Sequence, residues 1–138
     1  MVEMELNKIV IDEKRHDQLI VLKEKAGTRI LPIVIGLNEA SAIKLKISGF
    51  QPPRPLTHDL LHTTIENLNA SIVKVIIDKL EENTFHAKLV LKTAGGEVKI
   101  IDSRPSDSIA LAVRAHVPIF VEDEIIKKSE VFNQENKT

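Results

Sequence analysis

The chain has 138 residues, no cysteine, tryptophan or tyrosine, and a formal net charge of -1. These counts exclude disulfides, thiolate nucleophiles and Cys-ligated zinc, and provide neither a global pull toward nucleic acid nor an aromatic platform for stacked bases. With 43% hydrophobic and 28% charged residues, the composition is that of one globular domain, large enough to bury roughly 70% of its unfolded surface.

No apolar run approaches the ~20 residues of a membrane span. The acidic N-terminus, Met1-Val2-Glu3-Met4-Glu5, lacks the basic start of a signal peptide, which points to the cytoplasm. Residues 2–12 alternate as a strand, and Asp12 to Asp17 is a charged turn. A second strand opens at Leu19, turns at Ala26-Gly27-Thr28 and returns as Arg29 to Ile35. The unbroken apolar run in that third strand predicts cover on both faces. Pro32 lacks a ladder donor, so the strand should lie at an edge or carry a bulge. Asn38 is the expected cap of a helix to Ile47, ended by Gly49.

The corner Pro52-Pro53-Arg54-Pro55-Leu56-Thr57-His58-Asp59 follows. Its prolines forbid a helix until Thr57, the expected N-cap of a helix to about Leu68. Leu60, Leu61, Thr64, Ile65 and Leu68 share one face of that helix. Strands are expected over Ser71–Leu80 and Thr84–Lys92, then over Val98–Asp102 after a Gly95-Gly96 turn. Pro105 suits the first turn of a helix over Ser106–His116. Pro118–Val121 forms a last strand, Glu122–Val131 a charged helix, and residues 132–138 a polar tail that should fray.

This order conceals a repeat. Lys8-Ile9-Val10-Ile11-Asp12 matches Lys74-Val75-Ile76-Ile77-Asp78, Ala26-Gly27 matches Ala94-Gly95, and Glu39 aligns with Asp107 and Lys46 with Arg114. The reading is an α+β domain over residues 1–131: two strand-strand-strand-helix units, joined by the Thr57 helix, share a mixed or antiparallel sheet. An exposed edge strand in such a sheet invites self-pairing, so a homo-oligomer, a dimer first, is expected.

Four ordered segments carry a resemblance: Leu31-Pro32-Ile33-Val34-Ile35-Gly36 with Glu39-Ala40; Pro53-Arg54-Pro55-Leu56-Thr57-His58-Asp59-Leu60-Leu61; Asp102-Ser103-Arg104-Pro105-Ser106-Asp107 with Ser108-Ile109-Ala110-Leu111-Ala112; and Pro118-Ile119-Phe120-Val121. Together the chain resembles the bifunctional nuclease domain family over about residues 5 to 131, departing at Ser108, where the family pattern usually has Ala. The resemblance implies a small α+β domain, mostly bacterial with plant relatives, whose members are named for DNase and RNase activity. It brings no catalytic assignment with it.

The site is therefore read from the residues. Phosphodiester hydrolysis needs charge neutralised on the phosphate, an activated water and help for the leaving oxygen. His58 is the candidate general acid or base, because an imidazole ordinarily titrates near neutrality, with Asp59 and Asp107 beside it as catalytic carboxylates. Asp59, Asp102 and Asp107 are candidate ligands for Mg²⁺ or Mn²⁺. Arg54 and Arg104, with the helix starts at Thr57 and Ser106, would grip the phosphate of an RNA or DNA substrate. His62, one turn after His58, is a weaker metal candidate, and His16 and His86 are given no role. No organic cofactor is called for. A second reading makes Thr57, Ser106 and the aspartates ordinary helix caps and the arginines a clamp between the units. The chain would then be a regulatory or binding module for a small anion or a protein partner.

Overall fold

The computed structural model describes residues 1–12, 14 and 17–135, with side chains through Glu130. His16 and the final residues of the polar tail, 136–138, lie outside the described residues. The first unit is β1 (Val2–Val10), β2 (Asp17–Glu24), β3 (Ile30–Gly36) and α1 (Leu37–Ile47). Helix α2 (Thr57–Asn67) leads to the second unit: β4 (Ala70–Glu81), β5 (Thr84–Thr93), β6 (Val98–Ser103) and α3 (Pro105–Ala115). A short β7 (Ile119–Val121) and α4 (Asp123–Glu135) close the chain.

The strands form one mixed sheet in the order β3-β2-β1-β7-β4-β5-β6, so the two units are joined through the three residues of β7. This strand pairs antiparallel with β1, setting Met4 opposite Ile119, and parallel with β4, setting Val75 opposite Ile119 and Ile77 opposite Val121. Met4, Val75, Ile77, Ile119 and Val121 are all buried. The joint thus stands on apolar cover as well as ladder bonds. Hairpin β4–β5 turns through Glu82 and Asn83, both with positive φ, the two-residue geometry whose twist suits paired strands. Helix α3 is the core of the molecule. Its small Ser106, Ser108, Ala110 and Ala112 let it pack closely against α1, α2, β4 and β5, and all four are buried. Arg29 ties the β2–β3 hairpin to α4 through Asp123 at 2.7 Å.

Several expectations change. Strand β3 is an edge, as Pro32 requires, but only one face is covered: Leu31, Ile33 and Ile35 are buried, while Val34 is 62% exposed. The apolar face of α2 is mostly open. Ile65 is buried, but Leu60, Leu61 and Leu68 are exposed, because α2 rests on α3 and β4 without an outer layer. Helix α1 begins at Leu37 with Gly36 as its N-cap, so Asn38 is already inside the first turn. Helix α4 runs past Val131 to Glu135. Among the described residues, no helix is long and apolar enough to cross a membrane.

Candidate functional site

Helices α1, α2 and α3 each carry an acid at the third helical position: Glu39, Asp59 and Asp107. Carboxylates are favoured there because the first turn leaves backbone N–H groups unpaired. Only Asp59 is used as a cap, its Oδ2 accepting the Leu56 N–H at 2.9 Å. Leu56, not Thr57, is therefore the N-cap of α2; Thr57 is already helical, and the acid does the capping. The other two acids turn toward a shared centre.

That centre is a cleft of about 1010 Å³ between the three helices and the β5–β6 pair. His58, one residue into α2 from Thr57, places Nε2 2.9 Å from Asp107 Oδ1. Arg104, the N-cap of α3, donates from Nε to Asp107 Oδ2 at 2.9 Å and from its terminal nitrogen to Glu39 Oε1 at 3.0 Å. Burial alone would push the Asp107 carboxyl up, but the hydrogen bonds from His58 and Arg104 outweigh it and hold the pKa below the usual aspartate value. Asp107 is thus held as a carboxylate that accepts, so His58 Nε2 is the donor of this bond, and in the neutral ring Nδ1 is the nitrogen without a proton. The Arg104 pKa is raised by Asp107 first and then by Glu39.

Thr57, His58, Asp102, Arg104 and Asp107 all line this cleft. Three of the expected site residues do not. Asp59 faces away, accepting from Arg114 Nε at 2.7 Å. Burial would raise its pKa, but the Leu56 N–H and the Arg114 guanidinium bring it below the usual range. Arg54 is exposed outside the cleft. Ser106 is buried on the other side of α3, where it borders β3.

The candidate metal ligands are also divided. Asp59 belongs to Arg114, Asp107 to His58 and Arg104, and Asp102 to Lys88 at 3.0 Å, whose hydrogen bond lowers the Asp102 pKa. Among the described residues, no three histidine or acidic side chains gather on one point. The set Asp59, Asp102 and Asp107 therefore does not fit a resident cation. His62 lies 3.5 Å from Glu66, one turn along its own helix.

Sequence reading assigned no site role to Arg114 or His86, and named Glu39 first as a helix-start acid and only second as a residue reaching the site. Arg114 is buried and binds all three helices: Asp59 on α2, the Ala110 carbonyl on α3 at 2.9 Å and the Ala42 carbonyl on α1 at 3.5 Å. Arg114 is thus a clamp not foreseen, beside Arg104, which joins Asp107 to Glu39 of the other unit as the second reading expected; Arg54 takes no part among the contacts described. The alignment of Arg114 with Lys46 was the available signal. Glu39, aligned with Asp107, reaches the cleft. His86 lines it too, near enough to Asp102 to favour that ionised carboxylate.

An α+β domain with a histidine–aspartate pair in a cleft between two repeated units is the class that these observations define. The sequence profile described as the bifunctional nuclease domain matches residues 20–134. The chain belongs to this family. A Mycobacterium tuberculosis protein named as uncharacterized is 40% identical over 129 residues, covering 94% of this chain and 76% of the relative. Bifunctional nuclease 1 of Arabidopsis thaliana is 30% identical over 105 residues, covering 74% of this chain and 32% of the relative. Bifunctional nuclease 1 of Oryza sativa subsp. japonica is 25% identical over 112 residues, covering 80% and 34%. The chain spans about a third of the length of these plant relatives.

Proposed function

We propose that the protein is a nuclease that hydrolyses phosphodiester bonds of RNA and DNA with little sequence preference, and that His58 and Asp107 carry the chemistry. The observation behind this reading is the 2.9 Å contact between His58 Nε2 and Asp107 Oδ1 inside the open cleft. An ionised aspartate that fixes the imidazole tautomer leaves Nδ1 to act on a proton of the substrate or of water. DNA has no 2′-hydroxyl, so one mechanism for both substrates uses water as the nucleophile. Water oxygen bonds to phosphorus as its proton passes to His58 Nδ1, the bond to the leaving oxygen breaks, and that oxygen takes a proton from solvent or back from His58. Arg104, 65% exposed despite its two acids, donates to the non-bridging oxygens.

A second reading has its own support. Among the described residues, the cleft holds one arginine and no lysine against Glu39, Asp102 and Asp107. That charge balance suits a non-enzymatic module that binds a partner through apolar contact. Self-association, with a dimer as the first candidate, and a cytoplasmic location are parts of the same proposal. Strand β6 supports the former, since it is an edge with Val98 and Ile100 exposed; light scattering on the purified chain tests it.

Digestion of labelled single-stranded RNA and DNA, with Mg²⁺, Mn²⁺ or EDTA, tests the nuclease reading. Cleavage by the purified chain that disappears in His58→Ala and in Asp107→Ala supports it. Cleavage that survives both substitutions refutes the site, and no cleavage by the parent chain moves the assignment to the binding module.

A further inference from the structure

We propose that the apolar wall of the cleft is a seat for an unpaired nucleobase, so that the substrate class is single-stranded rather than duplex nucleic acid. The inference takes nucleic acid as the ligand from the nuclease reading and deepens it. Beside His58 and Asp107, the cleft is walled by Leu45, Leu61, Phe85, Ile101 and Leu111. Leu45, Leu61 and Ile101 remain 36%, 43% and 44% exposed, although they come from three different elements, α1, α2 and β6. Large aliphatic side chains left open together at the mouth of one cleft mark a surface that a ligand covers.

The charges narrow the ligand further. Tight duplex binding rests on neutralising roughly six to ten phosphates with lysine and arginine. Arg104 is the one such residue lining the cleft, among the described residues, and three carboxylates share its walls. A duplex presents its phosphates and hides its base faces, the reverse of what this surface can use. An unpaired strand can lay a base against apolar and ring side chains while one phosphate reaches a single arginine. Phe85, on β5, lines the cleft and supplies a ring.

The test is fluorescence anisotropy on the full chain in EDTA. A labelled single strand is compared with the same strand annealed to its complement, and strand integrity is checked on gels. The single strand is expected to bind at least ~10-fold more tightly, and Leu61→Glu and Ile101→Glu each to weaken it by ~10-fold or more, the scale of one lost base contact. Both positions are already exposed, so circular dichroism should be unchanged. Leu68→Glu, at the C-cap of α2 and outside the cleft, should leave the affinity as it was. Equal binding of both forms, no binding of either, or tolerance of both cleft substitutions overturns the proposal. Cleavage is scored separately. Strand-selective binding without cleavage refutes the nuclease reading and keeps the seat, whereas cleavage with equal binding refutes the seat alone.

Discussion

Glu39 and Asp107, equivalent positions in the two units, hold two ends of the same guanidinium: Arg104 reaches Glu39 Oε1 at 3.0 Å and Asp107 Oδ2 at 2.9 Å. Arg104, the one lysine or arginine lining the cleft among the described residues, is thereby neutralised in the unliganded protein. A phosphate must compete with two carboxylates for it, and each acid removed should ease that competition.

Gly36 offers a way to loosen this arrangement without touching a charge. A Cβ there would lie 2.5 Å from Glu39 Oε2, the far end of a flexible side chain, and the Gly36 backbone at φ -75° suits alanine. Gly36→Ala should fold normally, turn Glu39 away from Arg104 and tighten single-strand binding several-fold. Glu39→Gln should do the same. Anisotropy titrations of both variants check this, and unchanged or weaker binding counts against Arg104 as the phosphate contact.

Arg114 should matter to stability rather than to chemistry. Its side chain is 3% exposed and joins three helices. Arg114→Met leaves Asp59 without its cation and should cost about 3 kcal/mol, the scale for breaking a buried pair. In a chain of this size that lowers Tm by roughly 10 °C. Arg114→Met with Asp59→Leu should recover part of the loss. Calorimetry of the two variants gives the comparison.

Asp59 and Asp107 both have pKa values held below the usual range. Near and below the unfolded aspartate value of about 3.9, the unfolded chain binds more protons than the folded one, so acid favours unfolding. The contribution of these groups is complete above that pH and is lost as pH falls through their lower folded values. Urea midpoints should therefore hold between pH 7 and 5 and drop below about 4. The drop should be smaller in Arg114→Met, where the pull on Asp59 is gone.

Ser108, the position where the sequence departs from the pattern it resembles, has a structural partner. It is fully buried, and its Oγ donates to Ser103 Oγ at 2.7 Å, at the turn that presents Arg104. Ser108→Ala should cost about 1 kcal/mol, the value of one such bond. Cleavage should be little changed, since Ser108 does not line the cleft. Chemical denaturation and a digestion time course measure the two effects.

The repeat and the helix starts were legible because they are local, although the caps expected at Asn38 and Thr57 fall at Gly36 and Leu56. Matching strands, Pro105 at the first turn of α3 and the acids Glu39 and Asp107 all lie within short, regular spacings. The insertion of β7 between β1 and β4 was not legible, since a three-residue strand carries too little pattern to reveal its neighbours. At the site, His58 and Asp107 were found as helix-start residues, but their pairing depends on how α2 docks on α3. Whether Asp59 or Asp107 faces the cleft turns on Arg114, whose burial no periodicity displays. Bulges in β4, between Ile72 and Lys74 and between Ile77 and Lys79, shift the register of the β5 pairing and so hid the placement of His86.

Imidazole rescue of His58→Ala tests the central claim most directly. The substitution empties the ring's place beside Asp107, and added imidazole can occupy it as a diffusible acid–base catalyst. The expected result is a fall in single-strand cleavage of about 10²- to 10⁴-fold, with part of the rate returning in proportion to added imidazole and no such return in Asp107→Ala. Undiminished cleavage by His58→Ala, or a loss that imidazole does not touch, would contradict the assignment of His58 as the group that moves the proton.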